Sequence, residues 1–251
     1  MDLYTRKLHN RRPNAMRALG RLVFLALLLP AFVCGQEPHK SQGAGIPSSR
    51  PLEARVSRFD ISDAVLRDGL SELSSKNIED LHLGFEETIR ERIQDDPKVQ
   101  SPHFSLHLQG KTVREVLDSL CNSDPRYAWS EDGATINVYP RATADDPSYL
   151  LNLWIDKLAV SDVPDPDQAL TPLSKRFPQQ QIGYFGPGLG ENTYAEPWTA
   201  AFERLTVRQF ISRIAEHMGP RTSWVWEGGK NERMFTFLKG AFHTSQPSLS
   251  Q

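Results

Sequence analysis

Apolar residues recur at helical spacing in two segments that lie 94 residues apart along the chain. In each segment they follow the order i, i+3, i+4, i+7 and i+8, which predicts an amphipathic helix with one narrow buried stripe. A threonine precedes each stripe, and a glutamate or glutamine follows it three residues later. Thr112 with Glu115 and Thr206 with Gln209 are therefore predicted to form reciprocal capping boxes. The stripes comprise Val113, Val116, Leu117, Leu120 and Cys121, and then Val207, Phe210, Ile211, Ile214, Ala215 and Met218.

Shorter segments with alternating polarity surround both helices and predict strands. The same order of strand, helix, strand, strand, helix and hairpin is predicted twice. Pro172 disfavours a long uninterrupted helix in its segment. In the first half, strands are predicted at 58–61, 81–88, 104–108, 127–130 and 135–139, with helices at 65–76 and from 113. In the second half, strands are predicted at 151–163, 181–185, 199–205, 224–226 and 234–238, with helices at 167–177 and from 207.

Five identical residues recur around the two helical stripes, at an offset of 94 residues and then of 95 after one insertion. A repeat of this size predicts a duplicated small module rather than a solenoid of many short units. The fold class is therefore predicted as α+β, with two small tandem modules, each a short sheet with two helices packed on one face. The connection at 142–148 is short, so we expect the modules to touch. The recurring pairs are Thr112 and Thr206, Arg114 and Arg208, Pro125 and Pro220, Arg126 and Arg221, and Trp129 and Trp224.

The N-terminal region has the pattern of a secretory signal peptide. Residues 1–21 are rich in Arg and Lys, and the unbroken apolar run Leu22–Cys34 follows. This run is shorter than the roughly 20 residues that a helix needs to span a bilayer. We expect a signal peptide at 1–35, cleaved before Gln36, and periplasmic export without a stable membrane anchor. The alternative is an uncleaved signal that anchors the protein in the inner membrane.

The rest of the chain divides by composition. Residues 36–52 are rich in Gly, Pro and Ser without periodicity, which predicts a disordered linker. The first module is placed at 53–141, a second, divergent copy at 148–240, and a disordered tail at 241–251.

Charge and cysteine content exclude two classes of protein. The 251 residues carry a formal net charge of −2, without the basic excess of a nucleic-acid-binding protein. Cleavage before Gln36 leaves Cys121 as the only cysteine, so no intramolecular disulfide can form. Cys121 lies on an apolar helix face and is interpreted as a small core residue.

The first module resembles the secretin and TonB short N-terminal domain family of bacterial envelope proteins. The resemblance covers residues 55–141, and a weaker second copy covers 150–240. It implies placement in the cell envelope and a role in contacting other proteins. In the family the domain precedes an outer-membrane channel or receptor barrel, which this sequence does not predict. The residues that carry the resemblance are Phe59, Asp60 and Ile61, then Leu66, Leu70 and Leu73, then Leu108, Gly110, Thr112, Val113, Glu115, Leu117 and Leu120, and finally Tyr127, Ile136, Asn137, Val138 and Pro140.

No catalytic, cofactor or metal site is predicted. His103 and His107 lie four residues apart on a predicted strand, but a metal site would need a third ligand such as Glu86 or Glu87. Solvent-facing histidines are the preferred interpretation. The pair Glu86 and Glu87 is itself interpreted as solvated surface. Neither a Gly-x-Ser-x-Gly motif nor a phosphate-binding glycine loop with its Lys is present in the sequence.

The candidate partner-binding residues are aromatic or arginine, the types that dominate binding hot spots. For the two arginines the alternative is structural, with the stem packed on Trp129 or Trp224 and the charge at a helix C-terminus. The glycine-rich segment 183–190 is either an exposed loop that contacts a partner or a plain connection. Trp154, Trp198 and Trp226 are interpreted mainly as core or sheet-face residues. The candidates are Arg126, Trp129, Tyr184, Phe185, Trp198 and Arg221.

The leading hypothesis is therefore a non-catalytic interaction protein whose strand edges accept a partner's strand. Its partners would be envelope proteins of unknown identity. The alternative is a periplasmic enzyme, or a carbohydrate- or peptidoglycan-binding protein. Its site would lie in a groove between the modules, walled by Trp198, Tyr184, Phe185 and Arg221.

Overall fold

The structure is a computed structural model, and it describes residues 51–87, 101–185, 196–228 and 233–240. The predicted signal peptide and tail, nearly all of the linker, most of the connection 89–102 and of the glycine-rich segment, and Gly229 lie outside these residues. The described residues belong to one compact unit.

The chain has an α+β fold, as predicted. Its elements are β1 Arg55–Ala64, α1 Leu66–Ser74, β2 His82–Glu87, β3 Phe104–Thr112, α2 Val113–Ser123, β4 Tyr127–Asp132, β5 Thr135–Pro140, β6 Trp154–Val163, α3 Pro166–Arg176, β7 Gly183–Phe185, β8 Trp198–Thr206, α4 Val207–His217, β9 Thr222–Gly228 and β10 Arg233–Lys239.

The described strands form one large sheet and two ribbons. The large sheet has six strands in the order β4-β5-β2-β9-β10-β7. The ribbons are the antiparallel pairs β1–β3 and β6–β8. Strand β2 is parallel to both of its neighbours, β5 from the first half of the chain and β9 from the second. The two halves are thus joined by a hydrogen-bonded strand pair and share one sheet, whereas a separate short sheet was predicted for each module.

The two predicted helical stripes are confirmed, and so are their caps. All five stripe residues of α2 are buried, from Val113 to Cys121. The amide of Glu115 donates to Thr112 Oγ1 at 3.2 Å, and the amide of Thr112 donates to Glu115 Oε2 at 2.8 Å. In α4 the corresponding bonds between Thr206 and Gln209 are 3.3 and 2.8 Å long. Each helix therefore begins where the sequence predicts it, because the cap satisfies amides that lack an intrahelical partner.

Two hydrophobic clusters lie on opposite faces of the six-stranded sheet. Leu117 of α2 belongs to the first cluster and Ile211 of α4 to the second, and both side chains are fully buried. Neighbouring residues of a strand point to opposite faces. Accordingly Val225 of β9 lies in the first cluster, whereas Trp224 and Trp226 beside it lie in the second.

The structure extends the internal repeat well beyond the segments in which the sequence showed it. Strands β1 and β6 both have a register shift near their ends, where Asp63 and Asp162 have φ angles of 49° and 54°. The amide of Asp63 donates to Ser105 Oγ at 3.0 Å, and the amide of Asp162 donates to Thr199 Oγ1 at 2.9 Å. We call residues 51–140 the first repeat and residues 150–239 the second.

Most predicted element boundaries differ from the structure by one to a few residues, and two departures from the predictions have clear causes. The strand predicted from Leu151 begins only at Trp154, because a 3-10 turn occupies Leu150–Asn152. The Asn152 amide holds this turn by donating to the carbonyls of Thr143 and Asp146 at 2.7 and 2.8 Å.

Helix α3 continues past Pro172 to Arg176, although a proline removes one helical hydrogen bond. Its N-terminus is well formed: Pro166 occupies the first turn and the Asp165 side chain accepts a bond of 2.8 Å from the Gln168 amide. The apolar face of the helix is buried in the second cluster through Ala169, Leu170 and Leu173. This burial offsets the stability lost with the helical hydrogen bond at Pro172. No helix in the described residues is long and apolar enough to cross a membrane.

Candidate functional site

Strand β4 is one outer strand of the six-stranded sheet, and we call it, together with the α2 side chains beside it, the β4 edge. Trp129 of β4 is half-buried, and its indole Nε1 donates to Asp118 Oδ1 at 2.9 Å. The guanidinium of Arg114 lies over the Trp129 ring, 5.5 Å from its centroid. The Arg114 side chain is 44% exposed and lies 3.4 Å from a carboxylate oxygen of Glu53. The β4 edge therefore presents a cation on an aromatic ring, both accessible to solvent.

The corresponding edge of the second repeat, strand β9, is covered by β2 of the first repeat. Gly84 stands opposite Trp224 and Glu86 stands opposite Trp226 in this parallel pair. Trp224 is fully buried and lies against the α-carbon of Gly84, where a Cβ would clash with the indole ring. A residue without a side chain is thus required for Trp224 to lie across β2.

We call the parallel pair of β2 and β9 the β9 junction. Arg208 and Glu86 form a buried ion pair across this junction. Arg208 donates from Nε to Glu86 Oε1 and from Nη2 to Oε2, the latter at 3.2 Å. The side chains are 15% and 0% exposed, respectively. Burial raises the pKa of the Glu86 carboxyl, and the bonds from Arg208 oppose part of that rise. The bidentate geometry compensates the carboxylate for its lost hydration.

Further buried polar groups surround this pair. The Tyr149 hydroxyl and the indole nitrogens of Trp224 and Trp226 are buried, and Tyr149 lies beside the Glu86 carboxylate. Burial raises the pKa of Tyr149, and the nearby Glu86 charge adds to that rise. These groups shield the ion pair from bulk water, so the junction is largely desolvated.

The β4 edge and the β9 junction are the same surface in two repeats. Trp129 stands opposite Val138 as Trp224 stands opposite Phe237, and Arg114 occupies the helix position of Arg208. The two surfaces differ in whether a described strand packs over them.

The neighbouring position on each helix shows the same contrast. Ser212 of α4 is buried and donates to Asn137 Oδ1 at 3.4 Å, whereas its counterpart Asp118 on α2 is exposed. In the second repeat β2 and β5 cover the surface. In the first repeat no described strand does.

The two predicted arginine anchors have structural partners. Arg126 donates from Nε and Nη2 to both carboxylate oxygens of buried Asp124, at 2.8 and 2.7 Å. Its guanidinium also lies 5.9 Å from the centre of the Tyr127 ring. Arg221 bonds the Asn77 side chain and so connects the two repeats. Both arginines thus have structural partners, but these contacts are not the predicted packing on Trp129 or Trp224.

The structure does not bring the six candidate residues into one site. Trp129 lies at the β4 edge, and Arg126 lies just before β4. Tyr184 and Phe185 lie on β7 at the opposite edge of the sheet, and β10 separates them from the junction of β2 and β9. Tyr184 packs at 6.0 Å from the Phe237 ring. Among the four proposed groove walls only Arg221 lies at the junction, which is closed by paired strands.

The tryptophans outside the candidate edge differ in burial. Trp198 is 8% exposed and stacks on His217 with ring centroids 4.8 Å apart. Trp226 is also buried. Trp154 is not a core residue, because its exposure is 65%, but it does lie on a strand. It occupies the first position of β6, where no described element packs over it.

The two histidines considered as metal ligands each lie beside one aspartate, and the cysteine Cys121 is buried. His103 Nδ1 lies 3.2 Å from Asp63 Oδ1, and His107 Nδ1 lies 3.0 Å from Asp60 Oδ1. The described residues contain no group of three or more His, Cys, Asp or Glu that could hold a metal ion. Burial raises the pKa of Cys121 to about 12, which keeps its thiol protonated and unreactive.

Sequence reasoning missed the importance of Gly84 and Glu86. The interpretation of Glu86 and Glu87 as solvated surface is wrong: Glu86 pairs with Arg208, and Glu87 accepts a bond of 2.7 Å from Arg67. The only available signal was the repeated Arg114 and Arg208, which needs an acidic partner that the sequence does not name. No protein-family model, curated protein or solved structure matches the chain.

Proposed function

We propose that this protein is a non-catalytic interaction protein of the bacterial cell envelope that binds another protein by adding that protein's strand to the β4 edge. One observation supports the proposal above others. The counterpart of this edge in the second repeat already accepts a strand, because β2 pairs with β9. Among the described strands, the molecule therefore contains one occupied and one unoccupied example of the same strand-binding surface.

The chemistry of the β4 edge suits strand addition. An outer strand presents backbone donors and acceptors to a partner strand, which supply affinity without regard to sequence. Trp129 and Arg114 belong to the residue types that contribute most to binding energy. Strand β2 covers their counterparts in the second repeat: Trp224 is fully buried, and the Arg208 side chain is 15% exposed.

Export is the second part of the proposal. It rests on the basic segment and the apolar run at the N-terminus, and on the resemblance of the first repeat to an envelope domain family. Mass spectrometry of the protein isolated from its own cells tests it. A mature chain that begins at Gln36 in the periplasmic fraction is expected, and an uncleaved chain in the cytoplasmic fraction would contradict export.

Site-specific photo-crosslinking in living cells tests the docking edge. A photoreactive amino acid replaces Ser130, which lies on β4, and in a matched variant replaces Lys175, which is exposed on α3. We expect a discrete protein adduct from position 130 and none from position 175. The adduct must then be identified and reconstituted from purified components, where Trp129→Ala should weaken binding at least tenfold.

The competing assignment to an enzyme or a carbohydrate-binding protein gives a different result. It predicts no protein adduct at position 130 and a small molecule bound stoichiometrically in native mass spectrometry. Equal adducts at positions 130 and 175 would also contradict the proposed docking edge.

A further inference from the structure

We infer that the partner's strand runs parallel to β4, with a glycine or another very small residue opposite Trp129 and an aspartate or glutamate two positions later, within reach of Arg114. This inference rests on the proposed function and specifies the ligand of the same edge. It follows from the β2–β9 junction, which shows how a strand binds to this surface.

The direction of the strand follows from the repeat. Strand β9 is antiparallel to β10 on one side and parallel to β2 on the other. Strand β4 is antiparallel to β5 in the same register as β9 is to β10. A strand that binds β4 as β2 binds β9 is therefore parallel to β4.

The small residue follows from the position of the indole ring. In the junction Trp224 lies across the strand at Gly84, and a Cβ there would overlap the ring. Trp129 occupies the equivalent position on β4. An incoming strand that buries Trp129 in the same way needs a residue with little or no side chain at this point.

The acidic residue follows from Arg114. Its counterpart Arg208 binds Glu86, which lies two positions after Gly84 on the same face of β2. Within the described residues Arg114 contacts the exposed Glu53 at 3.4 Å and the Trp129 ring. A carboxylate from the partner would replace a weak surface pair with a desolvated one.

One charge on the β4 edge opposes this assignment. Exposed Glu131 occupies the position of Trp226 and would stand opposite the partner's acid. Like charges on paired strands weaken binding by no more than about fivefold. A hydrogen bond from Arg114 to the partner's carboxylate strengthens binding by at least about tenfold, which outweighs the repulsion from Glu131. The β4 edge therefore still prefers an acidic residue at this position.

A second copy of this chain does not supply such a strand through β2 or β7, the two strands that occupy this place in the repeats. Its β2 is already paired on both sides, with β5 and β9. Strand β7 is the register counterpart of β2, since Phe185 stands opposite Thr236 as Gly84 stands opposite Asn137. The residue at the Gly84 position is thus phenylalanine, and the sequence has Pro187 at the Glu86 position. Neither strand fits the β4 edge, so we take the partner to be a different protein.

A synthetic peptide provides the test. It has the sequence of residues 81–88 with Glu87→Gln, because that position would face Asp132 of β4. Two control peptides carry in addition Gly84→Val or Glu86→Gln. Binding of each labelled peptide to the purified protein is measured by fluorescence anisotropy, and hydrogen–deuterium exchange locates the protected strand. The protein variants are Arg114→Ala, Glu131→Gln and, as a matched control, Arg58→Ala on β1, whose side chain is 76% exposed.

We expect the parent peptide to bind and to protect β4. Gly84→Val in the peptide, or Arg114→Ala in the protein, should weaken binding at least tenfold. Glu86→Gln in the peptide should weaken it at least about twofold, because this change also removes the repulsion from Glu131. Glu131→Gln should strengthen it by up to about fivefold, and Arg58→Ala should leave it unchanged. Equal binding of all three peptides, protection of β9 instead of β4, or no binding would overturn the inference.

The crosslinking experiment distinguishes the two proposals. A reconstituted partner that docks at position 130 through a strand without the small and acidic residues would refute the inference and leave the proposed function intact. Absence of any adduct at position 130 would refute both.

Discussion

The indole ring of Trp224 lies directly against the α-carbon of Gly84, across the parallel pair formed by β2 and β9. This contact joins two repeats that each have their own hydrophobic cluster. A single glycine thus permits the large sheet to continue from one repeat into the next.

Replacing this glycine should destabilise the protein. Gly84→Ala places a methyl group inside the Trp224 ring position, and we expect a loss of about 1–3 kcal/mol in the free energy of unfolding. Gly183→Ala on β7 is the control, because its Cβ would meet Met234 at an ordinary 3.5 Å. Urea denaturation of both variants measures the difference. A loss in Gly84→Ala no larger than in the control would contradict the described junction.

Removing one partner of the buried ion pair should cost more than removing its exposed counterpart. Arg208→Met leaves the Glu86 carboxylate buried without its cation, and we expect a loss of about 3–5 kcal/mol. Arg114→Met removes only a surface contact, and we expect a loss below about 1 kcal/mol. Chemical denaturation at neutral pH compares the two. Similar losses in both variants would show that the repeats are covered alike in solution.

The raised pKa of Glu86 predicts a pH dependence with a defined sign. The folded protein holds its proton more tightly than the unfolded chain, whose carboxyl has the ordinary value of 4.5. The stability that this difference contributes is complete below pH 4.5 and is lost as the pH rises through the raised folded value. Denaturation of the wild type and of Glu86→Gln across pH 4.5–8 isolates the effect. We expect the wild type to lose stability relative to the variant as the pH rises.

The two capping boxes should respond differently to acid. Hydrogen bonds from Lys111 and from the Thr112 amide lower the pKa of Glu115 to about 2. The stability it contributes is present above pH 4.5 and is lost as the pH falls toward 2. The second box uses neutral Gln209, so it has no such dependence. Thr112→Ala and Thr206→Ala should each cost about 1 kcal/mol at neutral pH. An NMR titration of Glu115 with a midpoint near 4.5 would contradict this account.

Truncation of either helix stripe should affect the whole molecule. Leu117→Ala and Ile211→Ala each remove a fully buried side chain and should cost about 2–5 kcal/mol. Val225 and Leu238 of the second repeat belong to the cluster of the first, so the repeats share their core. We expect one unfolding transition, at which circular dichroism and tryptophan fluorescence coincide. Two separate transitions in either variant would show that the repeats unfold independently.

Local patterns predicted the helices and the caps because their causes are local. The stripe of α2 and the pair of Thr112 and Glu115 lie within one short segment, so spacing and side-chain chemistry suffice. The boundary at Leu151 was wrong because Asn152 is held by carbonyls that no periodic pattern reveals. The interpretation of Glu86 as solvated surface was wrong because its partner Arg208 is 122 residues away in sequence.

The sequence by itself determined the α+β fold class, the order of elements and the existence of an internal repeat, since these follow from hydrophobic periodicity and recurring residues. Only the tertiary structure decided that β2 pairs with β9, that the helices of the two repeats lie on opposite faces, and that Trp224 is buried while Trp129 is not. Identical residues acquire different environments because burial depends on which distant strand packs against them. The sequence does not encode that pairing in any single segment.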